Sequence, residues 1–527
     1  MNLSLTPVRF KQHAARVYGD KIGVVCGDQR FTYKQYSDRA NQLSHALRQL
    51  GVSPGDRVAF LSYNCHRLLE AYYGVVQIGA VLLPLNIRLK PGELTYILND
   101  SGTTVLFFEP ELTNLTQEIA SGAKTIKNYI ALSGNPPSWA ESKNYDSFIA
   151  DAPTTEPDFD IDENSLAELF YTSGTTANPK GVMLSHRNLY MHAMNVMAGL
   201  QFEDDLVQLH TIPLFHVNGW GTPQYVTCQG GKHVMLQKFD PVQIFELTQQ
   251  ERVSRISVVP TMATALVNCP EISKYDLSSM RLVNIGGAAC PVELIKQVEE
   301  KTGALCFAGY GLSETSPVLT LSLPKREMNL SEEARFRLQA MTGRPLPGVE
   351  IRIVDGDNKD VPADGATPGE IIVRSDSVMM GYWNLPEETA RVMVDGWFHT
   401  GDIATINEDG YILIVDRKKD IIISGGENIT SLDIEKAVYG HPAVLECAVI
   451  AVPDHKWGEV PKALVVIKPG MSATEEDIID FCKDRIANFK LPRSVEFFDA
   501  LPKGGTGKIL KRELRERYWQ GQAKRVH

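Results

Sequence analysis

Residues 56–85 read DRVAFLSYNCHRLLEAYYGVVQIGAVLLPL, and the order of their apolar segments decides the fold. The stretch DRVAFLS predicts a strand, RLLEAYYGVVQIG predicts a helix, and AVLLPL predicts a second strand. Two strands joined through a helix run parallel, with the helix packed on one face of the sheet. Residues 32–50 predict another helix, because Thr32 and Gln35 can form a capping box and Gly51 follows as a stop.

The same alternation recurs farther along the chain. RISVVP precedes the helical TMATALVN, RLVNIGG precedes PVELIKQVEEKTG, and LCFAGYG predicts a further strand. Ligands of open α/β sheets collect at the carboxyl ends of the strands. Glycine stands at three such ends, at Gly174, at 286–287 and at 309–311.

The pattern changes after Gly343. The segments VEIRIVD, GEIIVRS and GYILIVD predict short strands of an antiparallel sheet or barrel. Beyond the charged residues 416–420, two apolar strands and three helices predict a compact α+β unit. We therefore predict an α/β fold with a large N-terminal domain of α/β sheets, a small antiparallel barrel-like subdomain and a small mobile α+β C-terminal domain. The predicted boundaries are 1–415 for the N-terminal domain, 416–420 for a hinge and 421–527 for the C-terminal domain.

Composition excludes several classes of protein. The 527 residues carry a formal net charge of −11, which disfavours a nucleic-acid partner. The N-terminus has no uninterrupted apolar run typical of a secretory signal, and the longest apolar stretch is too short to span a bilayer. The eight cysteines form no CxxC pair, so neither a disulfide framework nor a zinc site is indicated. We expect a cytoplasmic protein without a transmembrane segment.

The segment YTSGTTANPKG, residues 171–181, concentrates hydroxyls and glycine on one loop. Such a loop can wrap an anion with backbone N–H and hydroxyl donors, and Lys180 adds a cation. This chemistry suits a polyphosphate, whereas the alternative is a polar surface loop with an exposed lysine. The segment does not match the Walker A pattern, and neither does GGTGKI at 504–509.

Four further motifs follow in order: GYGLSET (309–315), GWFHTGD (396–402), DRKKDIIISGGENI (416–429) and PKGGTGK (502–508). Together with the loop they resemble the adenylate-forming superfamily of acyl-CoA synthetases, luciferases and peptide-synthetase adenylation domains, most of all a fatty-acid–CoA ligase. The resemblance covers the chain from about residue 10 to 519. It implies that a carboxylic acid attacks the α-phosphate of MgATP to give an acyl-adenylate and pyrophosphate. After the small domain rotates, a thiol, usually coenzyme A, attacks the adenylate.

The resemblance implies an ATP site built from several motifs. Tyr310 is expected to stack on adenine, Asp402 to accept the ribose hydroxyls, and Arg417 to reach the ribose or α-phosphate; a core aromatic and a turn residue are the alternatives for the first two. The residues expected at the phosphates are Thr172, Ser173, Gly174, Thr175, Thr176 and Lys180. Those expected around AMP are Gly287, Ala288, Ala289, Gly309, Tyr310, Gly311, Ser313, Asp402, Arg417 and Lys419. Thr172 and Glu314 are expected to hold Mg²⁺, which prefers oxygen ligands.

Four residues are expected to act in catalysis, namely Lys508, His216, Glu314 and Arg417. Lys508, on a glycine-rich loop, would neutralise charge on the α-phosphate and the substrate carboxylate, although a lysine at a helix start is the alternative. Lys419 would be the hinge residue. His216 would order the carboxylate region or gate coenzyme A entry, and a structural histidine is the alternative.

The remaining expectations concern the acyl group and coenzyme A. The glycines of the acyl pocket are expected to leave room for a chain or a ring. The expected pocket residues are His216, Val217, Trp220, Gly286, Gly309, Gly311 and Val318. The residues expected to contact coenzyme A are Ser424, Gly425, Gly426, Glu427, Trp457 and Phe489, although Trp457 and Phe489 could be simple packing residues.

Several alternatives stay open at the level of sequence. Ala177 stands where the phosphate loop of similar enzymes has glycine, which predicts a shifted loop. We expect medium- to long-chain fatty acids as substrates, with aryl or other short acids as the alternative, and coenzyme A rather than a carrier protein as acceptor. A luciferase-like activity has no support in the sequence, and the presence of Lys508, Glu314 and Asp402 argues against a non-catalytic nucleotide sensor. A homodimer is expected by the same resemblance.

Overall fold

The structure is a computed structural model that describes residues 3–139, 143–172, 178–201, 203–425, 427–503 and 509–519. The chain divides into two compact units. The first comprises Met1–Glu350 and Val373–Phe398, and the second comprises Ile351–Ile372 and His399–His527.

The helices of the described residues follow in chain order. They are α1 (Val8–Val17), α2 (Tyr33–Gln49), α3 (His66–Gly74), α4 (Pro91–Ser101), α5 (Thr113–Gly122), α6 (Tyr145–Ile149), α7 (His186–Leu200), α8 (Val217–Cys228), α9 (Pro241–Glu251), α10 (Pro260–Val267), α11 (Val292–Thr302), α12 (Glu332–Gln339), α13 (Pro386–Val392), α14 (Ser431–Tyr439), α15 (Glu475–Lys483) and α16 (Lys511–Trp519).

The strands are numbered in the same way. They are β1 (Ile22–Cys26), β2 (Gln29–Thr32), β3 (Arg57–Leu61), β4 (Val81–Pro84), β5 (Val105–Phe108), β6 (Asn128–Ala131), β7 (Lys143–Asn144), β8 (Leu166–Thr172), β9 (Lys180–Ser185), β10 (Val207–His210), β11 (Lys232–Met235), β12 (Arg255–Val258), β13 (Leu282–Gly286), β14 (Leu305–Gly311), β15 (Val318–Leu321), β16 (Arg344–Pro345), β17 (Val349–Val354), β18 (Gly369–Ser375), β19 (Gly381–Tyr382), β20 (Met393–Val394), β21 (Trp397–Ile406), β22 (Ile412–Arg417), β23 (Ile422–Ser424), β24 (Glu427–Ile429), β25 (Val444–Asp454), β26 (Gly458–Ile467) and β27 (Ser494–Phe497).

The strand–helix–strand segment folds as its pattern predicts. Strands β3 and β4 pair in parallel, and α3 connects them. The preceding helix α2 begins with the predicted capping box, since the Gln35 amide donates to Thr32 Oγ1 and the Thr32 amide donates to Gln35 Oε1. One apolar face of α2 and α3 packs into the same buried cluster, which contains Tyr36, Leu43 and Leu69.

Two sheets dominate the first unit. One has the strand order β19-β9-β8-β4-β3-β5-β6-β7, and the other has the order β16-β15-β14-β13-β12-β10-β11-β1-β2. The middle strands of the second sheet, from β14 through β11, are parallel. Parallel pairing brings the glycine-bearing carboxyl ends of β13 and β14 side by side, as the sequence predicts.

A third sheet has the order β17-β18-β21-β20, with β22 paired to β21. The antiparallel pairing of β21 with β22 places Asp402 opposite Arg417. In the second unit, β24, β23, β26, β25 and β27 form a sheet on which α14, α15 and their apolar residues pack. The predicted fold class is confirmed.

The boundary at residues 416–420 stays a prediction. None of the described helices combines the length and the apolar character that a bilayer crossing requires.

Candidate active site

The phosphate loop connects two antiparallel strands of the first unit. Strands β8 and β9 form a hairpin in which Thr172 lies opposite Lys180. The loop residues Ser173, Gly174, Thr175, Thr176 and Ala177 lie outside the described residues. The hairpin therefore brings together one hydroxyl and one ammonium group that the sequence assigned to the same phosphates.

Lys180 is mostly buried and already has an anionic neighbour. Its Nζ lies 2.6 Å from Glu388 Oε2 and 5.2 Å from the centre of the Tyr382 ring. An ammonium over the face of an aromatic ring is attracted to the π electrons. Both neighbours come from a segment more than 200 residues farther along the chain.

Glu314 lies on a short 3₁₀ turn, Ser313–Thr315, directly after β14. Its Oε1 accepts a hydrogen bond from the Tyr382 hydroxyl at 2.8 Å, and its backbone oxygen accepts from the Met379 amide. Burial and the nearby Glu314 carboxylate raise the pKa of Tyr382, so its hydroxyl keeps the proton that it donates. Tyr382 thus contacts both Lys180 and Glu314, and it places the expected phosphate and magnesium residues beside each other.

The strand ends that carry glycine meet in the second sheet. Gly286 pairs with Gly309, and Gly311 pairs with Val318 across β14 and β15. Tyr310 is half-buried, and residues 287–289 are exposed beyond the end of β13. These positions form one continuous edge, which is compatible with the expected adenine wall.

The expectation that these glycines leave room for an acyl chain stays a prediction, but the structure shows what lies beside two of them. A Cβ atom on Gly286 would lie 2.9 Å from the ring of Trp220, and one on Gly311 would lie 1.9 Å from the backbone oxygen of Pro317. Backbone atoms leave no space for a side chain at Gly311, whereas at Gly286 the Trp220 ring would have to shift. A sequence shows that a side chain is missing, but it does not show which atoms take its place.

Trp220 lies in a left-handed stretch of backbone at the start of α8. Residues 217–221 have φ between 40° and 82°, and Val217 and Trp220 are among them. A β-branched residue rarely adopts this conformation, so surrounding contacts must hold it. The stretch presents the indole of Trp220 to Gly286 and leaves the half-buried His216 at the helix N-cap.

The contact that holds this stretch comes from a buried carboxyl group. Glu168 on β8 accepts hydrogen bonds from Asn218 Nδ2 at 3.1 Å and from Gln224 Nε2 at 2.9 Å. Asn218 in turn accepts from the Gly221 amide at 2.6 Å. Burial raises the pKa of Glu168 to about 8, although the two amide donors lower it.

His192 connects this stretch to the expected pocket residue Val318. The Val318 amide donates to His192 Nε2 at 3.0 Å, and the same imidazole packs on Gly221. Burial lowers the pKa of His192 to about 3, so the ring is neutral and can accept this bond. The residues Val217, Trp220, Gly286, Gly309 and Val318 are therefore joined through direct packing and shared neighbours.

In the second unit, the expected ribose residue Asp402 is buried and lies beside Arg417. Arg417 Nε is 3.3 Å from Asp402 Oδ1, and the two residues are register partners across β21 and β22. A carboxylate held in place by a guanidinium can accept hydrogen bonds from a diol. The two residues that the sequence assigned to the nucleotide are thus brought together.

The expected hinge, residues 416–420, is held from two sides within the second unit. The Ser431 hydroxyl and amide both donate to the buried carboxylate of Asp416, whose pKa burial raises to about 6. Arg515 donates to the Lys419 carbonyl at 2.8 Å, and its guanidinium lies 3.0 Å from Asp420 Oδ1. Burial, followed by the nearby Arg417, lowers the pKa of Lys419.

Four of the residues expected at coenzyme A meet in two pairs. Gly425 donates its amide to the Trp457 carbonyl at 2.9 Å and packs on the Trp457 ring, and Ser424 pairs with Glu427 across β23 and β24. Trp457 and Phe489 each expose more than two fifths of their surface, at 41% and 46%, which is unusual for packing residues. Gly426 and Lys508 lie outside the described residues.

Sequence reasoning missed Tyr382, Glu388 and Glu168. The first two lie in GYWNLPEE, residues 381–388, where a glycine before an aromatic residue and a proline at a helix start were the available signals. The described residues contain no cluster of three or more histidine, cysteine, aspartate or glutamate side chains suited to a metal ion. Glu314 and Thr172 nevertheless offer the oxygen donors that Mg²⁺ accepts when nucleotide phosphates and water complete its coordination.

Comparison with known proteins agrees with this arrangement. Residues 11–383 match the family model of the AMP-binding enzymes, and residues 433–508 match that of the AMP-binding enzyme C-terminal domain. A long-chain-fatty-acid–CoA ligase from Thermus thermophilus is 38% identical, with 97% of this chain and 95% of that protein covered. A feruloyl-CoA synthase from an Amycolatopsis species is also 38% identical, over 96% of this chain and 97% of the relative.

A solved structure extends the likeness to three dimensions. ATP-bound MatB from Rhodopseudomonas palustris superposes with a TM-score of 0.87 and 30% sequence identity, covering 98% of this chain and 99% of that one. The fold and the paired side chains thus define an adenylate-forming enzyme. The chain belongs to the AMP-binding enzyme family, and within it to the acyl-CoA ligases.

Proposed function

We propose that the protein joins medium- to long-chain fatty acids to coenzyme A, with ATP converted to AMP and pyrophosphate. The observation that carries the proposal is the gathering of Lys180 and Glu314 around Tyr382, at the base of the Thr172–Lys180 hairpin. A cation, a carboxylate and a hydroxyl at one place form a site for a magnesium polyphosphate.

The reaction has two steps that balance. A carboxylate oxygen of the acid attacks the α-phosphorus of ATP, a new O–P bond forms, and the bond to pyrophosphate breaks. The sulfur of coenzyme A then attacks the acyl carbonyl, AMP leaves with the electron pair of the O–C bond, and the thiol proton is released. Lys180 and Thr172 bind the departing pyrophosphate, and bound Mg²⁺ would neutralise part of its charge.

Residues of the second unit are proposed to act on the ribose and the α-phosphate. Asp402, held by Arg417 at 3.3 Å, accepts the ribose hydroxyls, and Lys508 neutralises the α-phosphate during adenylation. Lys419 is the hinge about which the C-terminal domain, residues 421–527, exchanges its two faces. Ser424, Gly425, Trp457 and Phe489 then contact coenzyme A.

The acyl class rests on the apolar neighbours of Gly286. Val217, Trp220 and Val318 offer no charge to a second carboxylate, which disfavours a dicarboxylic acid and fits an apolar acyl group. The long-chain-fatty-acid–CoA ligase and the feruloyl-CoA synthase are each 38% identical to this chain, so sequence identity does not distinguish an aliphatic acid from an aryl acid. An aryl acid is the second candidate, because the indole of Trp220 lies against Gly286 and shortens the space available in this conformation.

Release of AMP and pyrophosphate from MgATP, measured over a panel of fatty and aryl acids with and without coenzyme A, tests the proposal. We expect acid-dependent release that turns over rapidly only with coenzyme A, and the fastest rates with the longer aliphatic acids. Lys180→Ala should slow adenylation, whereas Lys274→Ala, at an exposed lysine of the same unit, should not.

The panel has several informative outcomes. If the rate of release does not depend on coenzyme A, the acceptor is another thiol or nucleophile, such as a carrier protein. Fastest turnover with aryl acids would favour the second candidate. The absence of acid-dependent release would overturn the proposal.

A further inference from the structure

Glu388 has two cationic partners, one on each carboxylate oxygen. Lys180 Nζ lies 2.6 Å from Oε2, and an Arg391 guanidinium nitrogen lies 2.9 Å from Oε1. The two cations differ in exposure, because the Lys180 side chain is 11% exposed and that of Arg391 is 72% exposed. The hydrogen bond from Lys180 is the main reason that the pKa of Glu388 lies below its ordinary value.

The backbone fixes Glu388 beside Lys180. The Trp383 amide donates to the Gly181 carbonyl at 2.7 Å, directly after Lys180 on β9. The Tyr382 amide donates to Thr389 Oγ1 at 2.9 Å, which ties the same segment to the middle of α13. The pair is therefore built into the fold through two hydrogen bonds, and it is not a meeting of two mobile surface side chains.

One ammonium cannot give its full charge to two anions. A polyphosphate that binds Lys180 must compete with Glu388, and the carboxylate repels phosphate oxygens brought close to it. Arg391 remains beside Glu388 when Lys180 turns away, so the carboxylate is not left without a counter-ion.

We propose that Glu388 is a positioning residue, and that the Lys180 ammonium alternates between the Glu388 carboxylate and pyrophosphate. Glu388 holds the ammonium before ATP binds, yields it to the phosphates, and takes it back as pyrophosphate leaves. Its repulsion of the product speeds release. This inference rests on the proposed role of Lys180 in binding the phosphates.

The test measures pyrophosphate as a product inhibitor of the acid–CoA ligase reaction, together with KM for ATP and kcat. Glu388→Gln removes the competing charge but keeps the size of the side chain, so we expect the inhibition constant of pyrophosphate and KM for ATP to fall about fivefold. We expect kcat to fall as well wherever product release limits turnover. Glu388→Asp keeps the charge, so its inhibition constant for pyrophosphate and its KM for ATP should lie between those of Glu388→Gln and the wild type.

Two further variants separate this role from a structural one. Glu387→Gln makes the same charge change on the same helix, at an exposed residue, and should behave as wild type. Arg391→Ala leaves Glu388 with Lys180 as its neighbouring cation, and it should raise the inhibition constant of pyrophosphate. In a Lys180→Ala background, Glu388→Gln should lower the inhibition constant of pyrophosphate less than it does in the wild type, because the competition for Lys180 is gone and only the direct repulsion of phosphate remains.

The outcomes distinguish the two proposals. Suppose that Lys180→Ala weakens inhibition by pyrophosphate, but Glu388→Gln leaves the inhibition constant of pyrophosphate unchanged or raises it. The proposed role of Glu388 is then overturned, whereas the phosphate-binding role of Lys180 stands. If Lys180→Ala leaves pyrophosphate inhibition unchanged, the phosphate role of Lys180 fails, and the role of Glu388 fails with it.

Discussion

Replacement of Glu168 by glutamine should abolish part of the pH dependence of folding. The carboxyl is fully buried on β8, and burial raises its pKa from the ordinary 4.5 to about 8. Between these two values the folded protein keeps a proton that the unfolded chain has lost. Stability from this group is therefore fully present below pH 4.5 and is lost as the pH rises toward 8.

The magnitude follows from the shift. Each pH unit between the two pKa values costs about 1.36 kcal/mol, so the rise from pH 5 to pH 7 removes about 2.7 kcal/mol. Glutamine does not titrate, and Glu168→Gln therefore loses this dependence. We expect the free energy of unfolding of the variant, relative to wild type, to increase by that amount between pH 5 and pH 7.

Urea unfolding followed by tryptophan fluorescence at pH 5, 6 and 7 measures this difference. Other titrating groups cancel because both proteins contain them. Glu203→Gln, at a side chain that is 76% exposed, provides a matched control with the same charge change. A gap between Glu168→Gln and wild type that stays constant from pH 5 to pH 7 would refute the reasoning, since it would mean that Glu168 is already ionised in the fold.

Three other changes test other contacts. Tyr382→Phe removes the hydroxyl that donates to Glu314, so the Mg²⁺ concentration for half-maximal activity should rise about fivefold, as a magnesium titration would show. Trp220→Ala clears the space beside Gly286, and kcat/KM should shift toward longer or bulkier acids across a substrate panel. Arg515→Ala leaves the carboxylate of the hinge residue 420 without its guanidinium, which should lower thermal stability by about 3 kcal/mol in calorimetry.

Each of these expectations has a contrary outcome. Unchanged magnesium dependence in Tyr382→Phe would show that the hydroxyl does not orient Glu314. If the order of preferred substrates is the same in Trp220→Ala as in the wild type, the indole does not line the acyl pocket. Addition of Asp420→Asn to Arg515→Ala should restore part of the stability, and a further loss would mean that the ion pair is not the cause.

The sequence predicted the elements whose signals are local. The helix after Thr32 was marked by a capping box, and the parallel sheet followed from strand–helix–strand order. Both depend on residues that are close in the chain. The paired glycines 286 and 309 could also be anticipated, since parallel strands bring equivalent ends together.

The contacts that build the site depend on long separations instead. Nothing near Lys180 in the chain indicates that Tyr382 and Glu388 lie beside it. The left-handed stretch at 217–221 is set by Glu168, which lies some 50 residues earlier. Motif resemblance supplied the names of the expected residues, whereas their neighbours, and the ring that fills the space at Gly286, required the three-dimensional fold.

The interleaving of the two units along the chain limits how the protein can be recombined with a relative. The chain leaves the first unit at residue 350, returns to it at 373 and leaves again at 398. A chimera made with one crossover after residue 398 would take residues 351–372 from one parent and the rest of the second unit from the other. Strands β18 and β21 are neighbours in one sheet. In this chimera β18 would come from one parent, whereas residues 399–406 of β21 would come from the other. Exchange of the second unit as a whole therefore needs three crossovers, placed at the unit boundaries.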